Sequence, residues 1–197
     1  MNLKKELKMK FSAVEIKDLV KSWLVISLAF AIAINGLNLN LVIFFIIMLL
    51  TVGSGFLLHE LAHKYAAQKF GYFAEFKAFN KMLLFAVITS FFGFVFAAPG
   101  GVFHQRIAGK KEEGLIALAG PAVNIILSLI FGMFYFTIPF QILRIVFFYG
   151  AYVNSFLAVF NLIPFFGLDG AKVFQWSKTY WAVSIVLAGI ISLTVGI

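Results

Sequence analysis

A run of 37 residues, 22–58, carries no charged side chain. A helix needs about 20 apolar residues to cross a bilayer, so this run is long enough for two crossings. Residues 35–40 lie near its middle and are rich in Asn and Gly, which favour turns. The pattern predicts a helical hairpin, with one helix near residues 20–35 and a second at about 41–70 that Gly71 ends.

The rest of the chain is equally apolar. Hydrophobic residues make up 62% of the sequence and charged residues 12%, with a mean hydropathy of +1.01, whereas a soluble domain has about 25% charged residues. Cysteine is absent, which excludes disulfides and thiolate metal ligands. We therefore expect an all-α polytopic membrane protein with about six membrane segments. Residues 1–21 form a cytoplasmic or interfacial N-terminal segment and residues 22–197 a single membrane-embedded domain. The later charge-free runs are residues 82–105, 114–143, 145–168 and 179–197.

The positive charges predict the orientation. The net charge is +8, and lysines are concentrated in the N-terminal segment and after the second helix. Cytoplasmic loops are enriched in Lys and Arg, so the N-terminus is expected in the cytoplasm, and the cell membrane is the expected location. The stretches on both sides of residues 82–98 are basic, which predicts a re-entrant or hairpin segment there. No basic soluble face is visible for nucleic acid, so the partner that the charge pattern implies is the lipid bilayer. The oligomeric state is left open.

Residues 59–63 read His-Glu-Leu-Ala-His, an H-E-x-x-H motif in a helical pattern. Four residues turn a helix by about 400°, so His59 and His63 lie on one face, one turn apart. Two such imidazoles can bind one metal ion, and Glu60 beside them can act on a water molecule, as in metalloproteases. The alternative is a pair of core histidines, whose charges would need partners that this sequence scarcely supplies.

A catalytic zinc site usually has three protein ligands and one open position. The third ligand must be His104 or an acid, because Cys is absent. Asp169 is the better candidate, since it follows a membrane run on the predicted side of His59. Pro164 ends that run, and glycines on both sides of Asp169 permit a sharp turn into a new helix. A helix N-cap is the alternative role for Asp169.

Three motifs in this order are similar to the site-2 protease family of intramembrane zinc metalloproteases. They are His-Glu-Leu-Ala-His at 59–63, Gly-Pro-Ala-Val-Asn at 120–124, and Asn-Leu-Ile-Pro at 161–164 followed by Leu-Asp-Gly at 168–170. The resemblance covers a three-helix catalytic core, residues 41–70 and 114–175. A strand region of that family corresponds to residues 71–79.

The resemblance implies the site and the reaction. His59, His63 and Asp169 correspond to the ligands of one Zn²⁺ per chain, Glu60 corresponds to the catalytic glutamate, and Asn161 and Pro164 correspond to a loop that aligns substrate. The implied reaction is hydrolysis of peptide bonds in transmembrane segments of other membrane proteins, known as regulated intramembrane proteolysis. Glu60 would act as the general base.

Two side-chain amides, Asn161 and Asn124, could bind unwound substrate backbone or a developing oxyanion. The alternative for both is hydrogen bonding between helices. An extended substrate could pair with an enzyme strand at residues 71–79 or 95–103.

Other functional classes are less consistent with the sequence. A metal-ion or proton transporter could use the same His, Glu and Asp cluster, but transporters commonly contain internal repeats, and none is visible. A catalytically inactive scaffold is a further alternative. Ser54 is expected to serve helix packing and not to act as a nucleophile. An aspartic protease needs two suitable Asp residues, and Asp18 lies in the charged N-terminal segment.

Overall fold

The computed structural model describes residues 9–95, 99–104, 109–165 and 167–196. Five helices are long and apolar enough to cross a membrane, which confirms the expected all-α polytopic architecture. The elements in chain order are α1 (Ala13–Asn35), α2 (Leu41–Met48), α3 (Ser54–Lys69), β1 (Ala74–Ala78), α4 (Asn80–Ser90), β2 (Gly100–His104), α5 (Lys110–Thr137), α6 (Gln141–Asn161), α7 (Asp169–Trp176) and α8 (Lys178–Gly196).

Helix α1 begins at Ala13, earlier than the position near residue 20 that the charge pattern predicts. The reason is a local one. The hydroxyl of Ser12 accepts a hydrogen bond from the backbone N–H of Glu15 at 3.0 Å, which caps the helix. Residues 13–21, which the sequence assigned to the N-terminal segment, therefore continue the first apolar helix.

Helices α2 and α3 form one continuous helix, Leu41–Lys69, as the sequence predicts. A π-helical turn at Leu49–Gly53 joins them. The Trp23 indole of α1 donates a hydrogen bond to the Leu49 carbonyl within this turn at 3.1 Å. Gly71 has a φ of +85°, a conformation that glycine adopts easily, and it follows the end of the helix as expected.

Helix α4, in the segment around residues 82–98, is too short to cross a membrane by itself. Helix α4 has 11 residues, about 16 Å at 1.5 Å per residue, roughly half the thickness of a bilayer core. Strands β1 and β2 pair antiparallel on either side of it, with Ala78 opposite Gly100. The chain therefore enters and leaves this segment at neighbouring positions, in agreement with the expected hairpin. Residues 96–98 lie outside the described part of the chain.

Two apolar clusters hold the helices together. One joins α1, α2 and α4 through Ile26, Met48 and Leu83. The other joins α5, α6 and α8 through residues that include Ile125 and Ile191. Many other large apolar side chains remain exposed on the long helices, as expected where lipid covers the protein.

Candidate metal centre

His59 and His63 lie on one face of α3 and point their Nε2 atoms at the same place. These two nitrogens are 2.9 Å apart. Both residues are buried. The four-residue spacing therefore places both imidazoles on one face of the helix, as the sequence predicts.

Asp169 completes the cluster from a distant part of the chain. Its Oδ2 atom lies 3.3 Å from the Nε2 atom of His59 and 3.1 Å from that of His63. Asp169 is the first residue of α7, and the N-cap position of this helix is occupied by Leu168. The geometry thus favours a role with the histidines over the alternative of a helix N-cap.

The turn that brings Asp169 into position depends on close backbone contact. A Cβ atom on Gly170 would lie 2.1 Å from the carbonyl oxygen of Leu162, at the end of α6. Only glycine allows α7 to start this close to α6. The carbonyl of Leu162 also accepts a hydrogen bond from the Trp181 indole at 2.7 Å, which ties α8 to the same turn.

The far ring nitrogens of both histidines have fixed partners. The Nδ1 atom of His59 lies 2.6 Å from Oδ1 of Asn124, and that of His63 lies 2.8 Å from the Ile116 carbonyl, both on α5. The Asn124 amide nitrogen donates to the carbonyl of Gly55 at 3.2 Å, which fixes its oxygen toward His59. Each Nδ1 therefore carries the proton, so each Nε2 presents a lone pair.

This arrangement fits a divalent metal ion. Two lone pairs and a carboxylate oxygen face one another within 4.8 Å, a repulsive arrangement that a cation relieves. Ligand atoms at about 2.0–2.1 Å from a tetrahedral zinc ion are separated by about 3.3 Å. The distances of 2.9, 3.1 and 3.3 Å between the three atoms are close to that spacing.

Helix α5 leaves space for an ion at this point. A Cβ atom on Gly120 would lie 2.4 Å from Nε2 of His63 and 2.6 Å from Nε2 of His59. Any side chain at this position would occupy the space between the ligands. The glycine of the Gly-Pro-Ala-Val-Asn motif is therefore part of the metal centre.

Glu60, a residue of α3, lies beside the cluster and faces β2. The backbone amide of Val102 is within reach of its carboxylate. Its Oε2 atom is buried and has no hydrogen-bonding partner in the described part of the chain. A buried acceptor without a partner is costly, so its retention indicates a function.

The other candidate residues lie around this centre. The Asn161 amide donates to the Leu157 carbonyl within α6 at 2.9 Å, and Pro164 lies in the turn between α6 and α7. Asn124 uses one amide proton on Gly55 and the other on Asn154, at 2.9 Å. No donor is left for substrate, so these contacts favour a structural role for Asn124 over substrate binding.

Two alternatives from the sequence have no support in the geometry. His104, at the end of β2 opposite Ala74, is not part of the cluster that the described residues form. The hydroxyl of Ser54 donates to the Leu50 carbonyl of its own helix at 2.6 Å, which is a packing role.

The sequence alone does not predict the contacts that Ile116, Gly120, Val102 and Asn154 make at this site. The motif at 120–124 was a usable signal for Gly120. Ile116 and Val102 act through backbone groups, which carry no residue-specific signal.

The chain is similar to two proteins whose names describe zinc metalloproteases. The protein named "Putative zinc metalloprotease MJ0611" of Methanocaldococcus jannaschii is 38% identical over 177 residues, which covers 88% of this chain and 90% of the relative. "Zinc metalloprotease MJ0392" of the same organism is 30% identical over 156 residues, which covers 77% of this chain and 41% of that relative. This chain therefore matches less than half the length of the second protein. No family model and no solved structure matches the chain.

Proposed function

The chain belongs to a family of zinc metalloproteases, and we propose that it is an intramembrane protease of the site-2 type. In this proposal it hydrolyses peptide bonds in the transmembrane segments of other membrane proteins. The relatives' names favour a peptidase over the metal-ion or proton transporter.

One observation carries the proposal. The carboxylate of Glu60, with an unpartnered oxygen, adjoins three convergent ligand atoms inside helices that are long enough to span a membrane. A peptidase of soluble proteins has no need to bury its centre among such helices. A centre at this position suits a substrate that is itself a membrane segment.

His59, His63 and Asp169 would hold the zinc ion. Zinc supplies Lewis acidity, which polarises a carbonyl group and lowers the pKa of water from 15.7 toward about 7. Oε2 of Glu60 would accept a proton from the attacking water molecule and pass it to the leaving amine. This oxygen has no other partner among the residues that the structure describes, so it is available for the transfer.

The edge of β2 that faces away from β1 is the proposed docking place for the substrate. In an antiparallel pair, alternate residues point their backbone groups away from the partner strand. The amide of Val102 belongs to this outward set, because it faces Glu60. A substrate segment that unwinds and pairs along this edge would bring a peptide bond near the carboxylate. Asn161 and Pro164 would align the substrate from the opposite loop.

The proposal also includes the orientation. We place the N-terminus, β1, β2 and the start of α7 on the cytoplasmic side of the cell membrane. Lysines at residues 69, 77, 81, 110 and 111 lie at the same end of the helices as this group, as positive charge in cytoplasmic loops requires.

Replacement of Glu60 by Gln tests the proposal. The variant keeps the shape of the side chain but has no basic carboxylate. We expect about one zinc ion per chain in both proteins, and cleavage of a transmembrane test substrate in liposomes should fall by about 10²–10⁴-fold. Metal analysis and gel-based cleavage measure the two quantities.

Glu75→Gln is the matched control, because it changes a carboxylate that lies outside the cluster. It should cleave like the wild type. Normal cleavage by Glu60→Gln would contradict the mechanism. Zinc flux into liposomes that survives in Glu60→Gln, without cleavage by either protein, would favour a transporter.

A further inference from the structure

Lys64 follows the metal-binding His63 on α3 and is one of the most deeply buried side chains of the protein. Its ammonium group forms an ion pair with Oε2 of Glu15 on α1. Both side chains are 1% exposed. The ammonium group also lies 4.2 Å from the ring centre of Phe11. This ion pair thus connects the helix of the metal centre to the N-terminal helix.

The same carboxylate connects α1 to the β-hairpin. Oε1 of Glu15 accepts a hydrogen bond from the backbone N–H of Phe76 at 2.9 Å. One helical turn later, Oδ2 of Asp18 accepts from the backbone N–H of Ala78 at 3.0 Å. We call Glu15 and Asp18 the α1 clamp. The clamp takes the place of a neighbouring strand along the outer edge of β1.

The clamp has a consequence for the other strand. Phe76 and Ala78 point their N–H groups away from β2, so their partners Val102 and Gly100 point theirs away from β1. The outer edge of β1 is thereby occupied by side chains. The outer edge of β2 borders Glu60 through Val102.

Stability alone is a weak explanation for the ion pair. The desolvation of two buried charges often cancels their attraction, and apolar replacements of similar volume are frequently neutral. Buried polar groups can instead fix one arrangement among several. In this protein the ion pair can fix the position of the hairpin relative to α3, because Glu15 contacts Lys64 on α3 and Phe76 on β1.

We propose that Glu15 is a positioning residue of the peptidase site: through Lys64 and Phe76 it holds the hairpin at the distance from α3 at which β2 presents a substrate strand beside Glu60. Glu15 touches neither the metal ligands nor the substrate, and it acts through β1. The inference rests on the proposed proteolytic function, but the distance that it concerns can be measured without proteolysis.

The first experiment measures that distance. The chain has no cysteine, so two introduced cysteines carry the only spin labels. Tyr65→Cys on α3 and Phe103→Cys on β2 suit this purpose, because both side chains are about half exposed. The double replacement Glu15→Met and Lys64→Met removes both buried charges and also the acceptor of the Phe76 N–H, so neither charge is left unpaired. We expect a broader or shifted distance distribution between the labels, whereas Glu113→Gln, which changes a carboxylate on α5 outside the hairpin and the α1 clamp, should leave it unchanged.

The second experiment measures cleavage kinetics of the same variant, without labels and loaded with zinc. A loss of folded protein lowers the maximal rate but leaves KM unchanged. A displaced β2 should raise KM about tenfold, because the substrate strand pairs less well. Zinc content per folded chain should stay at the wild-type value.

The outcomes separate the two proposals. An unchanged label distance overturns the positioning role, whatever the activity. A changed distance with an unchanged KM also overturns it. If the double variant changes the label distance but the wild-type protein cleaves no substrate, the positioning of the hairpin is supported and the proteolytic function is contradicted.

If the double variant does not fold, Asp18→Ala is used instead, because it opens only the Ala78 end of the clamp. It should likewise broaden or shift the distance distribution, and an unchanged distribution overturns the inference.

Discussion

At the scale of single residues, the two imidazoles present their ligand nitrogens because their other ring nitrogens are already bound. Asn124 and the Ile116 carbonyl hold the Nδ1 protons of His59 and His63. Such partners fix the tautomer and the ring orientation, and they raise the basicity of the ligand nitrogen. The two imidazoles are thereby accommodated in an apolar helix.

The role of Asn124 leads to a prediction. Asn124→Ala removes the partner of His59 and leaves its ring free to rotate. Zinc affinity should fall by about 10–100-fold, the usual effect of losing such a contact. Titration with a competing chelator measures the change.

Asn161→Ala is the control for this titration. Among the described residues its amide donates to Leu157 within α6, so zinc affinity should stay at the wild-type value. The same variant tests the proposed substrate contact of Asn161, which predicts a higher KM. Equal zinc affinity in Asn124→Ala and the wild type would show that Asn124 does not hold His59.

At the scale of secondary-structure elements, the centre depends on how closely α5 approaches α3. Small residues let helix backbones come together in a membrane. Gly120 does so at the ligand nitrogens, and Gly55 does so where α3 meets Asn154 of α6. The metal centre is therefore a product of helix packing as much as of its ligands.

Gly120→Ala tests this packing. The new Cβ would meet both Nε2 atoms at less than 3 Å, so a ring or the helix must move. We expect loss of bound zinc and of cleavage, although alanine favours the helix by about 1 kcal/mol. Metal analysis of the purified protein measures the loss.

Gly132→Ala, in the same helix, is the matched control. Its Cβ would meet only the Cβ of Ala151 at an ordinary contact distance of 4.0 Å. The variant should keep its zinc and gain slightly in thermal stability. Full zinc occupancy in Gly120→Ala would show that α5 can retreat from the site.

At the scale of the whole molecule, the paired strands bring the start and the end of the 82–98 segment together. Because α4 is too short to cross, α5 starts at the same side as the end of α3. Asp169 and His59 can therefore meet at one side of the membrane. A full crossing at α4 would have put the start of α5 on the other side.

Cysteine labelling tests this topology. Asn38→Cys lies between α1 and α2, and Lys110→Cys lies at the start of α5. In intact cells, a membrane-impermeant thiol reagent should label Asn38→Cys, whereas Lys110→Cys should react only after permeabilisation. The absence of native cysteine makes the background low. Labelling of both positions in intact cells would contradict the short hairpin.

Much of this molecule could be predicted from local patterns in the chain. Apolar runs predicted the five long helices, because helix length and bilayer thickness are fixed physical quantities. The four-residue spacing of His59 and His63 predicted one shared face, since helical rotation is a local property. The end of α3 near Gly71 and the start of a helix at Asp169 also followed from nearby residues.

Other features exist only in the folded structure. The bond from Asn124 to His59, the Gly120 contact and the approach of Val102 to Glu60 join residues that are distant in sequence. Several of them use backbone groups, which are the same in every residue. The sequence by itself thus determined the helices and the shared face of His59 and His63, because periodicity and composition act within one turn or one segment. The tertiary structure decided which partners orient the ligands and where β2 lies, because those distances depend on how whole helices pack.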